Sequence, residues 1–151
     1  MPYFIKRLAE VFLLSIVCSA AVMMLYISEI LTTRIQMAVV VIVSAAAFLV
    51  VNFILMRAYI FGVDSRAAYC RVNGMVLLLY MIISFALILT RHGYILAWLF
   101  MPVKFIDVFG VPTRISALVF YVLLAAEFIA VILQYNNVVK KSAKAAPDED
   151  C

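Results

Sequence analysis

The sequence predicts an all-α integral membrane protein, a bundle of four transmembrane helices with an extra interfacial or re-entrant helix between helices 3 and 4. Composition is the first observation behind this fold class. Apolar residues make up 69% of the 151 residues and charged residues 13%, whereas soluble domains contain about 45–50% apolar and about 25% charged residues. So large an apolar excess requires lipid as a second solvent.

Four long apolar runs are the second observation, and they define the predicted helices. Each approaches the ~20 residues that a helix needs to cross about 30 Å of hydrocarbon. None alternates polar and apolar residues as the strands of a membrane barrel do. The predicted spans are residues 8–30, 35–56, 72–90 and 115–135. They form a membrane domain over residues 1–135, and we expect the polar residues 136–151 to be a disordered tail.

Residues 92–110, between the third and fourth runs, predict the extra helix. The segment is apolar, but Pro102 interrupts it, and Lys104 and Asp107 follow. Its uninterrupted part is too short to span a bilayer. The aromatic ring of Trp98 suits the headgroup region. We therefore expect an interfacial or re-entrant helix here, with a fifth crossing as the alternative.

The connection between the second and third helices is short, which predicts an antiparallel hairpin of these two helices. We expect the second helix to continue to Phe61 and Gly62 to supply its C-terminal cap. Asp64 or Ser65 is expected to accept hydrogen bonds from the first free amides of the third helix.

Basic residues predict the orientation of the chain. Eight lysines and arginines flank the helix ends on the side of the two termini, against four on the opposite side. This bias predicts cytoplasmic termini and is typical of a multi-pass protein of the bacterial plasma membrane. Three arginines of the second connection, Arg57, Arg66 and Arg71, are candidates for contacts with anionic lipid headgroups. The alternative is that they only mark the membrane boundary.

Glu127 is the candidate intramembrane functional acid. It lies near the middle of the fourth run, where an insertion scale assigns a carboxylate a cost of about 2.5–3.5 kcal/mol. The side chain is therefore expected to face the bundle. In one interpretation it is a coupling or gating acid. In the other it joins helices through a hydrogen bond, with Tyr80 or Ser15 as the expected partner at similar depth.

Small residues at a spacing of four predict which helices approach closely. Ala126 and Ala130 flank Glu127, and Ser15 and Ser19 give the first helix the same spacing. Such faces allow the backbones of membrane helices to come near each other. The pattern predicts contact between the first and fourth helices.

Two asparagines are candidates for a hydrogen bond between helices. Asn52 and Asn73 lie at similar depths in the second and third runs, and amide side chains commonly bond across membrane helices. Glu10 follows Lys6 by four residues in the first run. An ion pair with Lys6 along one helix face explains the acidic residue at position 10.

The function predicted from these observations is non-enzymatic. The sequence contains no HExxH, no GxSxG and no phosphate-binding glycine loop, and its cysteines and single histidine lack the spacing of a zinc site. We expect an accessory, assembly or regulatory membrane subunit that acts by helix–helix association, without a cofactor. The alternative is a small oligomeric transporter or channel that uses Glu127.

The expected partners follow from the apolar runs and from the positions of the basic residues. The chain contacts the lipid bilayer, and the basic loop residues suit anionic headgroups. A homo-oligomer or a larger membrane-protein partner fits association through helices. The basic residues lie at the ends of apolar runs rather than on one aromatic-interleaved patch, so no nucleic acid is expected.

Overall fold

Four long helices make up the structure. The computed structural model describes residues 2–28, 30, 33–63, 65–89 and 113–145. All four helices are long and apolar enough to cross a membrane, which confirms the predicted number of transmembrane helices within these ranges. The extra helix predicted for residues 92–110 lies outside the described residues. The elements are α1 (Pro2–Ile27), α2 (Arg34–Ala58), a 3-10 turn (Tyr59–Gly62), α3 (Arg66–Leu89) and α4 (Thr113–Ala145).

Two helices are longer than their apolar runs. α1 begins at Pro2 rather than at residue 8, because proline lacks the amide hydrogen that the first helical position leaves unpaired anyway. α4 continues to Ala145, through ten residues that the sequence analysis assigned to a disordered tail. Lysine and alanine are good helix formers, so this polar stretch continues the helix. The earlier start of α1 places Arg7 inside the bundle rather than before it.

The helices are arranged so that α1 and α4 each pack against both α2 and α3. Two pairs, α1 with α4 and α2 with α3, therefore lie on the diagonals of the bundle. Among the described residues, the predicted close contact of α1 with α4 is wrong. The predicted hairpin of α2 with α3 is also wrong, because these helices face each other across the core rather than side by side.

The connection from α2 to α3 crosses this diagonal. α2 gives way to the 3-10 turn, and Val63 is extended with φ −131° and ψ 129°. Gly62 ends the turn rather than capping α2, and a Cβ atom built there would lie 2.5 Å from Tyr3 Oη. Glycine thus allows the close approach of Tyr3. Ser65 does cap α3, because its Oγ accepts a hydrogen bond from the amide of Ala68 at 3.2 Å.

Polar side chains also fix the start of α2. Thr33 accepts a hydrogen bond from the amide of Gln36, and the Gln36 side chain accepts one from the amide of Thr33, each at 3.2 Å. This reciprocal capping box satisfies two amides that the helix leaves free. It defines the beginning of α2 at Arg34.

Apolar side chains fill the interior and also cover the outside. The central core joins all four helices through residues such as Val11, Phe48, Tyr80 and Leu124. Large apolar side chains also point outward from every helix, and Leu13, Ile42, Leu78 and Val122 are each more than half exposed. Apolar surface on all sides suits contact with acyl chains rather than water. The chain is thus a multi-pass membrane protein.

Candidate functional site

Arg7 is the centre of the candidate site. Its side chain is 0% exposed, and its guanidinium lies between α2 and α3. Nη2 donates a hydrogen bond to Asn52 Oδ1 at 2.6 Å, and Nε donates one to Asn73 Oδ1 at 3.2 Å. Two amide oxygens on diagonally opposite helices thus share one cation. Such a bond to a charged group is stronger than a neutral one.

Asn52 extends this network to the fourth helix. Its Nδ2 donates a hydrogen bond to Glu127 Oε2 at 3.2 Å, while its oxygen accepts the bond from Arg7. Asn73 uses its own Nδ2 within α3, where it donates to the carbonyl of Tyr69 at 3.3 Å. The chain Arg7–Asn52–Glu127 therefore joins α1, α2 and α4, and Asn73 adds α3. We call these four residues the Arg7 network.

Glu10 and Tyr59 complete the surroundings of Arg7. Arg7 Nη1 lies 3.8 Å from Glu10 Oε2, an ion pair one turn apart on α1. The guanidinium carbon stands 5.5 Å from the centroid of the Tyr59 ring, within range of a cation–π contact. Tyr3 holds the turn in place because its hydroxyl donates to the carbonyl of Tyr59 at 3.2 Å. Attraction from a carboxylate and a ring offsets part of the desolvation of the cation.

Two further polar pairs bridge helices deeper in the bundle. Ser15 Oγ and Tyr80 Oη lie 2.9 Å apart and join α1 to α3. Ser84 Oγ and Tyr121 Oη lie 2.7 Å apart and join α3 to α4. These pairs use neutral hydroxyl groups, so they fasten helices without a buried charge.

The predicted polar residues do form contacts between helices, but their partners differ from the expected ones. Asn52 and Asn73 meet through the guanidinium of Arg7 rather than through each other. Glu127 bonds to Asn52, while its expected partners, Tyr80 and Ser15, bond to one another. The predicted pair of Glu10 with Lys6 is replaced by the pair of Glu10 with Arg7.

The small residues do not form the predicted interface. Ala126 is exposed and Ala130 is partly exposed on α4, so neither lies against α1. Ser15 and Ser19 are buried on α1, but that helix packs against α2 and α3. Ser15 and Ser19, four residues apart, do mark the buried face of α1. Their spacing does not identify which helices pack against that face.

The three arginines of the α2–α3 connection lie apart from the Arg7 network. Arg57, Arg66 and Arg71 are all exposed. They lie at the end of the bundle that contains the start of α1, as the alternation of the helices requires. Their contact with anionic headgroups stays a prediction.

Arg7 is the residue of the candidate site that the sequence does not single out. Its position beside Lys6, before the first apolar run, is typical of a boundary charge. A signal was nevertheless present, because Arg7, Val11, Ser15 and Ser19 recur every four residues and share one helix face. All four are buried. Because Arg7 lies on the same helix face as these buried residues, the spacing indicates that its side chain points into the bundle.

The described residues contain no group of three or more histidine, cysteine, aspartate or glutamate side chains that would hold a metal ion. What the Arg7 network provides instead is a buried cation with amide and carboxylate partners. No family model, curated protein or solved structure matches this chain.

Proposed function

We propose that this chain is a non-enzymatic accessory or assembly subunit that associates laterally with another membrane protein. The proposal rests on Glu127. Glu127 is only partly buried, although it stands on a membrane-spanning helix and its carboxylate accepts a hydrogen bond from Asn52 in the bundle interior. A carboxylate with a face toward lipid is costly, so contact with a further protein surface stabilises it.

The internal polar pairs support the same proposal. Together with the Arg7 network they join all four helices, and the exterior of the bundle is apolar. Helices in lipid associate through packing and through polar contacts between them. We call the outer surface around Glu127, where α4 meets α2, the Glu127 seam. Its other members on α4 are Leu123, Ala126 and Ala130.

Site-specific photo-cross-linking in the native membrane tests this function. A photoreactive residue at Leu123 is expected to capture a discrete protein, because it lies on the Glu127 seam. The matched control is Leu13, which is exposed on the outer face of α1 at 62% against 46% for Leu123. Position 13 is expected to label lipid only. If neither position captures a discrete protein, or both capture it equally, lateral association through the seam is refuted.

The second candidate function is a small oligomeric transporter or channel. The observation in its favour is the chain Arg7–Asn52–Glu127, which connects a buried cation with a carboxylate across three helices. Charged groups inside a membrane domain frequently belong to ion or solute pathways. The test is ion flux into liposomes that contain the purified chain. Flux that Glu127→Gln abolishes supports transport, and absent or unchanged flux excludes this role of Glu127.

We also propose that the chain lies in a bacterial plasma membrane with both termini in the cytoplasm. The excess of basic residues on the side of the termini supports this orientation. Lys6 and Arg34 are exposed at opposite ends of the bundle. A thiol introduced by Lys6→Cys is expected to resist an impermeant reagent added outside the cell, whereas Arg34→Cys is expected to react. The reverse pattern overturns the orientation.

A further inference from the structure

The depth of Glu127 constrains what covers it. The apolar span of α4 ends at Tyr135, which places Glu127 ~12 Å inside that end at about 1.5 Å per residue. This depth is within the hydrocarbon region rather than among the headgroups. Whatever contacts the outer side of this carboxylate must therefore also lie within the membrane.

The neighbours of Glu127 on the outer surface of α4 are apolar. Leu123 and Ile129 are 46% and 57% exposed, and Ala126 and Ala130 are small and at least partly exposed. Among the described residues, the ion pair of Arg7 is with Glu10 and not with Glu127. The seam thus presents one carboxylate without an ionic partner in this part of the chain, set among side chains that permit close approach of a helix.

Asn52 holds this carboxylate in place. The Asn52 oxygen is bound to Arg7 at 2.6 Å, so the amide cannot rotate without breaking a strong bond. Its Nδ2 then points at Glu127 Oε2. Asn52 is therefore a positioning residue, which fixes the acid at the seam while Arg7 lies on the far side of the amide. A fixed group binds a partner with less loss of conformational entropy than a mobile one.

A second copy of the chain is a poor occupant for this seam. A symmetric dimer places the same patch of both copies face to face. Where Glu127 lies near the two-fold axis, it opposes Glu127 of the other copy, and two ionised carboxylates at close range repel. The exposed basic side chains of the described residues, such as Lys6, Arg57 and Arg66, lie near helix ends rather than at this depth.

We propose that the Glu127 seam binds a transmembrane helix of another protein that carries a basic side chain, lysine or arginine, at the depth of Glu127. This inference rests on the proposed lateral association and names the chemistry of the partner. The cation satisfies the free side of the carboxylate, and the alanines admit the partner helix closely. An ion pair in hydrocarbon satisfies two groups that are each costly alone.

The experiment uses a designed transmembrane peptide as the partner, because the proposal specifies a basic side chain on a helix rather than a particular protein. The full chain is labelled with a donor fluorophore in liposomes. It is mixed with a leucine- and alanine-rich transmembrane peptide that bears an acceptor and one lysine at the matching depth. Two reference peptides carry leucine or aspartate at that position. Energy transfer as a function of peptide concentration gives the relative affinities.

The expected result is a preference for the lysine peptide over the leucine peptide of about 5- to 30-fold, which corresponds to about 1–2 kcal/mol for a polar contact between membrane helices. The aspartate peptide is expected to bind no better than the leucine peptide. Glu127→Gln should abolish the preference while the fold survives, because the glutamine oxygen still accepts the bond from Asn52. Leu13→Ala, a control on the exposed outer face of α1 away from the seam, should keep it.

Several results overturn the proposal. An equal affinity of the wild-type chain for the lysine and leucine peptides refutes it without any variant. A preference that survives Glu127→Gln refutes the role of Glu127. Energy transfer between two labelled copies that depends on Glu127 makes a second copy the occupant instead. If the seam cross-links a discrete protein in the native membrane while the peptides show no preference, lateral association stands and only the basic partner is wrong.

Discussion

Replacement of Asn52 by alanine is the most informative perturbation of the Arg7 network. The substitution removes the bond from Arg7 Nη2 at 2.6 Å and the bond to Glu127 Oε2 at 3.2 Å. Both lost bonds involve a charged group, and each such bond contributes about 1.5–3 kcal/mol in soluble proteins. Polar contacts between membrane helices average about 0.6 kcal/mol. Between these limits, we expect Asn52→Ala to lower the free energy of unfolding by about 2–4 kcal/mol.

The assay is reversible unfolding of the purified chain in mixed micelles, with Ser44→Ala as a matched control. Ser44 also lies on α2, and its hydroxyl donates one hydrogen bond to the carbonyl of Cys18 at 3.0 Å. A single neutral bond of this kind is expected to contribute about 0.6 kcal/mol. Equal effects of the two substitutions would show that the Arg7 network contributes no more than an ordinary polar contact, which would contradict its expected contribution to stability.

Three further substitutions test the packing. Gly62→Ala places a Cβ atom 2.5 Å from Tyr3 Oη, so we expect a loss of about 1 kcal/mol, measured by thermal unfolding. In a Tyr3→Ala background, Gly62→Ala should have no further cost. At Gly74 the nearest contact is 3.5 Å, and Gly74→Ala should be neutral or stabilise by up to about 1 kcal/mol through helix propensity; a marked loss contradicts the packing. Tyr80→Phe removes a hydroxyl 2.9 Å from Ser15 and should lower the unfolding free energy by about 1 kcal/mol. An unchanged value would contradict a stabilising hydrogen bond between these two side chains.

The helical architecture could be predicted because it depends on composition and run length. Four runs of apolar residues give four spanning helices, since only a helix satisfies its own backbone hydrogen bonds in lipid. The helix neighbours could not be predicted. Short connections suggested that α2 and α3 lie side by side, whereas a 3-10 turn ending at Gly62 lets the chain cross the bundle. The steric role of that glycine depends on Tyr3, which is distant in sequence.

The candidate site could be predicted only in part. Glu127, Asn52 and Asn73 stand out because polar groups are rare in apolar runs. Their partners depend on Arg7, which lies before the first apolar run and matches the ordinary pattern of a boundary charge. Its burial follows from the early start of α1 at Pro2. Hydropathy alone places Arg7 at the membrane boundary, and only its four-residue spacing from Val11 indicates that it faces inward.

The most direct test of the account is a solid-state NMR measurement of the contact between Arg7 and Asn52 in lipid bilayers. Labelled guanidinium nitrogen and labelled amide carbon report the proximity of these two side chains. With Nη2 2.6 Å from Oδ1 and a C=O bond of about 1.2 Å, the nitrogen lies within about 4 Å of the amide carbon, so a measurable dipolar coupling is expected. The coupling should vanish in Arg7→Lys, which is the assignment control. Absence of coupling in the wild-type chain would contradict the contact between Arg7 and Asn52, and with it the Arg7 network.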